Sequence, residues 1–428
     1  MLKKRRFTSI IVFCCFVFVS ITINTYAQTP NWQWAQKAGG TDDDRAMCIQ
    51  LDNVGNIYVS GFFNSSANFG PYSLTSDGFS DIFVAKMDQY GNWLWAVKAG
   101  GTDYDQGLNL TVDNSNNCYI TGYCGSNATF GQYSITGSGN KDIFVAKINA
   151  NGTWQWATGA GGTDYDRGYG IATTPLGISY VTGYFEDTAT FGMQSLVSNG
   201  SSDIFVAKID ASGTWQWAEG AGSSNYDEGK KIVVDNTENV YLTGGFCETL
   251  NLGSHSVVSL GYSDIFVAKI DQTANWLWAA SGGGTYVDFS YGIGLDGVGN
   301  CYVMGDFFYT AYFGEHSVTA SGSNDIFVAQ LESTIAVDDV QHSCSEINNF
   351  PNPFNNRTTI SYSLKSASPI SFEIYNLKGQ LIEIILDENI QAGDHTLEWN
   401  CQNVPAGVYF LKMKAGGEES IIKLVLIK

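Results

Sequence analysis

Hydrophobic and polar positions repeat along this chain with a period of 61 residues. The run Asp-Ile-Phe-Val-Ala begins at Asp81, Asp142, Asp203, Asp264 and Asp325. A Trp-x-Trp pair begins at Trp32, Trp93, Trp154, Trp215 and Trp276, and Gly70, Gly131, Gly192, Gly253 and Gly314 keep the same register. Self-similarity at a fixed interval, without insertions, is the signature of a repeat architecture. Within one repeat the alternation predicts four strands. They cover Gly107 to Asp113, Tyr119 to Gly122, Asp142 to Ile148, and a last stretch carrying Trp154-Gln155-Trp156-Ala157. A short excursion through Phe130-Gly131 separates the second from the third. The connections, Asp113 to Asn117 and Asn149 to Gly152, are rich in Asn, Asp and Gly, which suits tight antiparallel hairpins.

Four antiparallel strands repeated radially make a propeller blade. The pattern predicts an all-β, five-bladed β-propeller over residues 28–332. The array opens with a Trp strand and ends with Asp325 to Glu332, so the fifth blade has no Trp strand after it. Pairing of the Trp32 strand with that blade would close the ring and remove the open edge. Residues 333–349 break the repeat and read as a linker. Residues 350–428 carry alternating runs at Ile360 to Leu364, Phe372 to Asn376, Thr396 to Trp399, Val408 to Met413 and Ile421 to Ile427. These suit a small Ig-like β-sandwich. At the other end, Lys3-Lys4-Arg5-Arg6, an apolar stretch from Phe7 to Ile23 and Thr25-Tyr26-Ala27 predict a signal peptide over 1–27. No later stretch reaches the ~18 apolar residues of a membrane-spanning helix, so none is expected in the mature chain.

Two family resemblances follow from these motifs. AGGTDYDQG, then VDNSNNCYITGY, then DIFVAKI resemble the bacterial extracellular β-propeller repeat of the SBBP type, over roughly residues 32–332. That family implies no fixed catalytic activity. Phe350-Pro351-Asn352-Pro353-Phe354, Tyr375 to Gln380, and Ala406-Gly407-Val408-Tyr409 resemble, in that order, the C-terminal sorting domain of the type IX (Por) secretion system. The resemblance implies passage across the outer membrane with the type IX machinery as partner, then surface attachment or release. The matching positions expected to matter are Gly379, Gly407, Tyr409, Lys423 and Lys428. Cys401 departs from that pattern, where a small or acidic residue is expected.

Charge narrows the partners. The chain has 42 acidic and 22 basic residues, and 31 of the acidic but only 11 of the basic ones fall in residues 28–332. Phosphate contacts need Lys and Arg, so nucleic acid is excluded as a ligand. The acidity favours solubility and attracts cations. Of nine cysteines, Cys14 and Cys15 would leave with the signal peptide, and the other seven form no CxxC framework. They read as small buried hydrophobes, and sequence alone does not decide whether Cys344 and Cys401 pair.

One polar register stands out. Asp44, Asp105, Asp166, Asp227 and Asp288 precede the first strand of each repeat, with Asp42, Asp103, Asp164, Asn225 and Tyr286 two positions earlier. Asp-x-Asp oxygens at a channel mouth suit a hard cation such as Ca²⁺, although the distal Glu of a full calcium loop is missing. Aspartate accepting backbone N–H groups in a tight turn explains the recurrence equally well. The tryptophan pairs suit filling the gap between outer strands, with sugar stacking as the alternative. Enzyme signatures are sparse: the repeats hold only Arg45 and Arg167, too few for a sialidase-type arginine cluster. Neither a Gly-x-Ser-x-Gly elbow nor His-Glu-x-x-His is present. The chain therefore reads as a secreted or cell-surface, non-catalytic binding or adhesion protein taking a glycan or protein ligand. The alternative is a carbohydrate-active hydrolase using two propeller carboxylates. Residues on one mouth that break the repeat pattern would favour the enzyme.

Overall fold

The computed structural model describes residues 31–297, 299–332, 344–364, 367–376, 380–402, 404–415 and 418–427. The expected signal peptide and residues 333–343 of the expected linker lie outside them. The chain divides into two compact units, residues 1–332 and 333–428. All regular structure described is β.

The first repeat shows the plan. Its strands are β1 (Asp44–Leu51), β2 (Ile57–Phe63), β3 (Ser66–Phe69), β4 (Tyr72–Thr75), β5 (Asp81–Met87) and β6 (Trp93–Ala99). They form an antiparallel sheet in the order β1-β2-β5-β6, and β3 and β4 form a separate hairpin. The same order recurs in the second and third repeats and in the first four strands of the fourth. The four expected strands are present, and the excursion between the second and third is itself a hairpin. Its turn explains the glycine register. Gly70, Gly131, Gly192, Gly253 and Gly314 have φ of 58°, 62°, 64°, 58° and 62°, a left-handed conformation that other residues resist.

Tryptophans tie each sheet together and then to its neighbour. The first of each pair clamps the hairpin: Trp93, Trp154 and Trp215 meet Phe69, Phe130 and Phe191 edge-on, with ring centroids 5.3, 5.3 and 5.4 Å apart. The second latches onto the next repeat. The indole N–H groups of Trp95, Trp156 and Trp217 donate to the carbonyls of Ala150, Ala211 and Gln272, each at 3.0 Å.

Apolar contact does the rest. Ile82 and Val84 of β5 are fully buried in one cluster with Leu110 of the next repeat. The equivalent groupings are Ile143 and Val145 with Ile171, Ile204 and Val206 with Ile232, and Ile265 and Val267 with Ile293.

The fifth repeat ends differently from expectation. Among the described residues it comprises Phe289–Leu295, Cys301–Phe313 and His316–Leu331, with no outer strand. The expected closing ladder with the Trp32 segment is not formed. Residues 31–38 belong to no strand, and Trp32 is 97% exposed. Trp34 still makes the latch to the first repeat, donating its indole N–H to the Gln89 carbonyl at 3.0 Å as Trp95 does to Ala150, but the edge Asp325–Leu331 does not reach the segment: Ile326 and Val328 on it are 79% and 73% exposed. Consecutive inner strands pack side by side along the array, and no comparable packing joins β1 to Phe289–Leu295 among the described residues. The array is open, and an apolar surface remains at each end.

The second unit has two sheets. One contains Cys344–Phe350, Arg357–Leu364 and Gly393–Asn400; the other contains Ser368–Asn376, Leu381–Ile390, Gly407–Ala415 and Glu418–Leu426. Ile360, Tyr362 and Trp399 from the first share a core with Phe372, Ile374, Leu411 and Met413 from the second. The end of the expected linker is thus strand: Cys344–Phe350 pairs with Arg357–Leu364.

The latch makes a testable demand. Trp95 is 9% exposed, so Trp95→Ala should cost about 3–5 kcal/mol through lost burial and a lost hydrogen bond. Urea unfolding of the repeat unit measures it; a loss below ~1 kcal/mol would show that the latch does not hold adjacent sheets.

Candidate functional site

The aspartate register sits where each Gly-rich loop enters an inner strand. Each carboxylate accepts two backbone N–H groups. Asp105 takes Gly101 at 2.7 Å and Gly125 at 2.9 Å, and Asp166 takes Gly162 at 2.7 Å and Glu186 at 3.2 Å. Asp227 takes Ser223 and Cys247 at 2.5 and 2.9 Å, and Asp288 takes Gly284 and Phe308 at 2.6 and 3.0 Å. Asp44 takes Gly40 at 2.6 Å and Asn64 at 3.3 Å. The side chain thereby staples its loop to the end of the second strand of the same repeat. A cation at these oxygens would have to displace backbone donors. Among the described residues, no three His, Cys, Asp or Glu side chains are placed together to hold a metal ion. The neighbouring Asp103 is instead bonded to the Ser126 hydroxyl at 2.8 Å.

A second carboxylate lies beside four of the five staples, those of Asp105, Asp166, Asp227 and Asp288. Burial pushes Asp105 from its ordinary 3.8 to about 6, and the nearby charge of Asp81 adds to the rise. Burial likewise takes Asp166, beside Asp142, to about 7. Asp264 rises to about 6, through burial and then the charge of Asp288.

A different surface departs from the repeat. Core positions keep their apolar character from repeat to repeat, but three registers on the first and second strands change their chemistry. They read Arg45, Gln106, Arg167, Glu228, Phe289; Met47, Leu108, Tyr169, Lys230, Tyr291; and Phe62, Tyr123, Tyr184, Gly245, Asp306. From these registers Tyr169, Tyr184, Glu228, Gly245 and Phe289 line a cleft of about 390 Å³ in the third to fifth repeats, together with Glu186 and Tyr226. The Arg167 guanidinium lies 4.8 Å from the Tyr123 ring and 5.8 Å from Tyr184. Lys230 sits 4.0 Å over Tyr169 and 2.8 Å from the Glu228 carboxylate. These cation–π contacts hold the tyrosine faces in place. Burial pushes the Tyr184 hydroxyl and the Glu186 carboxyl upward. The cleft therefore offers aromatic faces, neutral phenol donors and carboxylate acceptors. Tyr226 is 64% exposed at its rim. The sequence signal for this site was the departure from repetition at a fixed register, which residue-type motifs do not report.

In the second unit, Gly407 opens a strand and Tyr409 is buried against Trp399, donating its hydroxyl to the Pro405 carbonyl at 2.7 Å. Lys423 is exposed, and its carbonyl accepts Asn352 Nδ2 at 2.8 Å. Gly379 and Lys428 lie outside the described residues. Cys401 is buried, with Sγ 3.2 Å from the Asn356 carbonyl.

Comparison with known proteins gives the class. Residues 348–428 match the secretion system C-terminal sorting domain. The chain is thus a secreted or cell-surface protein carrying a type IX sorting tail. This chain is 25% identical over 257 residues to an uncharacterized WD repeat-containing protein of Acanthamoeba polyphaga mimivirus, covering 49% of this chain and 18% of that one. It is 25% identical over 169 residues to the regulatory protein FlaEY of Caulobacter vibrioides, covering 38% and 18%. The chain spans less than a fifth of the length of either relative. Two solved structures from Porphyromonas gingivalis are similar over 91% of this chain: PorZ, a surface component of the type-IX secretion system, at TM-score 0.31 and 12% identity over 46% of that chain, and latent PorU at 0.18 and 9% over 33%. Both superpositions are too loose to define a shared fold.

The carboxylate pairs set a pH dependence. In the folded chain Asp105 and Asp166 keep a proton up to about 6 and about 7, against an ordinary 3.8. Their contribution to stability is complete below 3.8 and is lost as pH rises through those folded values. Asp88, lowered by its hydrogen bonds to Asn92, works in the opposite sense, and its contribution is lost below 3.8. The urea midpoint should rise from pH 8 to pH 5 and fall again at lower pH, and Asp166→Asn should shrink the rise. A midpoint that drops steadily from pH 8 to pH 5 would contradict this assignment.

Proposed function

We infer that this protein is a glycan-binding module displayed at the cell surface by the type IX route, built on five propeller blades of the SBBP type. Three features support the blade reading: the four-stranded antiparallel sheets, their repetition at 61 residues, and the relative named for WD repeats. The Ig-like character of the sorting domain rests on its two sheets around one core. The observation that carries the function is the cleft. Its Tyr169, Glu186, Glu228 and Phe289 depart from the repeat pattern. They stand beside Tyr184, which recurs in the second repeat as Tyr123, and Tyr226, which recurs in the second and third loops as Tyr104 and Tyr165. Aromatic faces stack on the apolar faces of sugar rings, and carboxylates accept hydrogen bonds from their hydroxyls. The acidic array around the cleft favours neutral or cationic glycans over anionic ones.

The same asymmetry supports a second reading, a carbohydrate-active hydrolase, in which Glu186 with its raised carboxyl would supply an acid. A glycan array on the purified chain, run beside a glycosidase panel, separates the two. Binding without turnover is expected. Tyr184→Ala and Tyr226→Ala should each weaken the best ligand by about tenfold while leaving unfolding unchanged. Unchanged affinity in both variants would remove the cleft as the binding site, and turnover abolished by Glu186→Gln would establish the hydrolase.

A further inference from the structure

The two ends of the open array are the two halves of one contact. Inside the array, Ile82 and Val84 are fully buried and cover Leu110, which is 1% exposed. The residues in the same registers at the ends are uncovered: Ile49 is 59% exposed, Ile326 79% and Val328 73%. Beside Ile49, a groove of about 360 Å³ between Trp34 and the first sheet is lined by Val59, Phe83 and Met87.

The missing outer strand is present in the wrong place to serve its own fifth repeat. Trp32-Gln33-Trp34-Ala35 has the sequence of an outer strand, and Trp34 already makes the latch to Gln89 that Trp95 makes to Ala150. The edge Asp325–Leu331 has the sequence that receives such a strand in the other repeats. Among the described residues, one end of the array thus carries an outer-strand sequence without a sheet, and the other a sheet edge without a strand.

We propose that the fifth repeat of one copy receives the first repeat of a second copy, head to tail, through the junction used four times within the chain. Residues 31–38 of the incoming copy extend the sheet at Asp325–Leu331, while Ile326 and Val328 cover Ile49. Such a contact is heterologous: it gives a ring if the rotation closes and a filament if it does not. It also removes two exposed edges that would otherwise favour indiscriminate pairing.

The register fixes the test. Ala85 faces Ala96, Ala146 faces Ala157, Ala207 faces Ala218 and Ala268 faces Ala279, so Ala329 should face Ala35 across the new contact. Directly opposed residues lie within disulfide reach. Purified Ala35→Cys and Ala329→Cys proteins, mixed and oxidised, should give a disulfide-linked dimer on a non-reducing gel that neither protein gives alone. No mixed dimer, combined with an internal disulfide in the double variant, would overturn the proposal in favour of closure within one chain. Absence of both products would overturn it outright.

Discussion

Every repeat in this protein is finished by the one beside it. The apolar face made by Ile82 and Val84 has nothing in its own sheet to cover it, and Leu110 of the next sheet supplies the cover. Fully burying such a side chain is worth about 1.5–3 kcal/mol. The contact is made again between each later pair of repeats and reinforced by an indole hydrogen bond at three of them. Stability in such an array is close to a sum of nearest-neighbour terms, and an end is a lost term.

This constraint explains how residues are allotted. Positions that form the junction are repeated almost without change, because each must meet the same partner. Aspartates such as Asp105 and Asp166 belong with them: they staple the loops at the cost of burying a carboxylate beside another one. Positions facing the cleft make no junction and are free to differ. Tyr169, Tyr184 and Glu228 thus line the cleft at registers that carry Met47, Phe62 and Arg45 in the first repeat. Repetition builds the frame, and its exceptions build the site.

The strands of the array were legible because each core residue appears once in every repeat. The glycine register pointed to a turn, and the φ values of its members show why. Closure was not legible, since counting strands says nothing about the rotation between sheets, and that rotation leaves β1 away from the fifth repeat. The role of Asp105 was undecided by residue type, because the same oxygens suit a cation or a backbone N–H; the donors of Gly101 and Gly125 are seen only in three dimensions. In the sorting domain, ordered motifs revealed identity over 350–428 while two strands went unread. Asn348 and Asn349 interrupt alternation in one, and Glu383, Asp387 and Glu388 do so in the other.

The account stands or falls on whether the junction stabilises each repeat and is missing at the free end. Ile171 and Ile49 occupy the same register, at 5% and 59% exposure. Replacing each by alanine and measuring urea unfolding in dilute solution compares them directly. Ile171→Ala should cost about 2–5 kcal/mol, and Ile49→Ala less than about 1 kcal/mol. Equal, large losses at both positions would mean that β1 is covered within its own chain, and would contradict an open array.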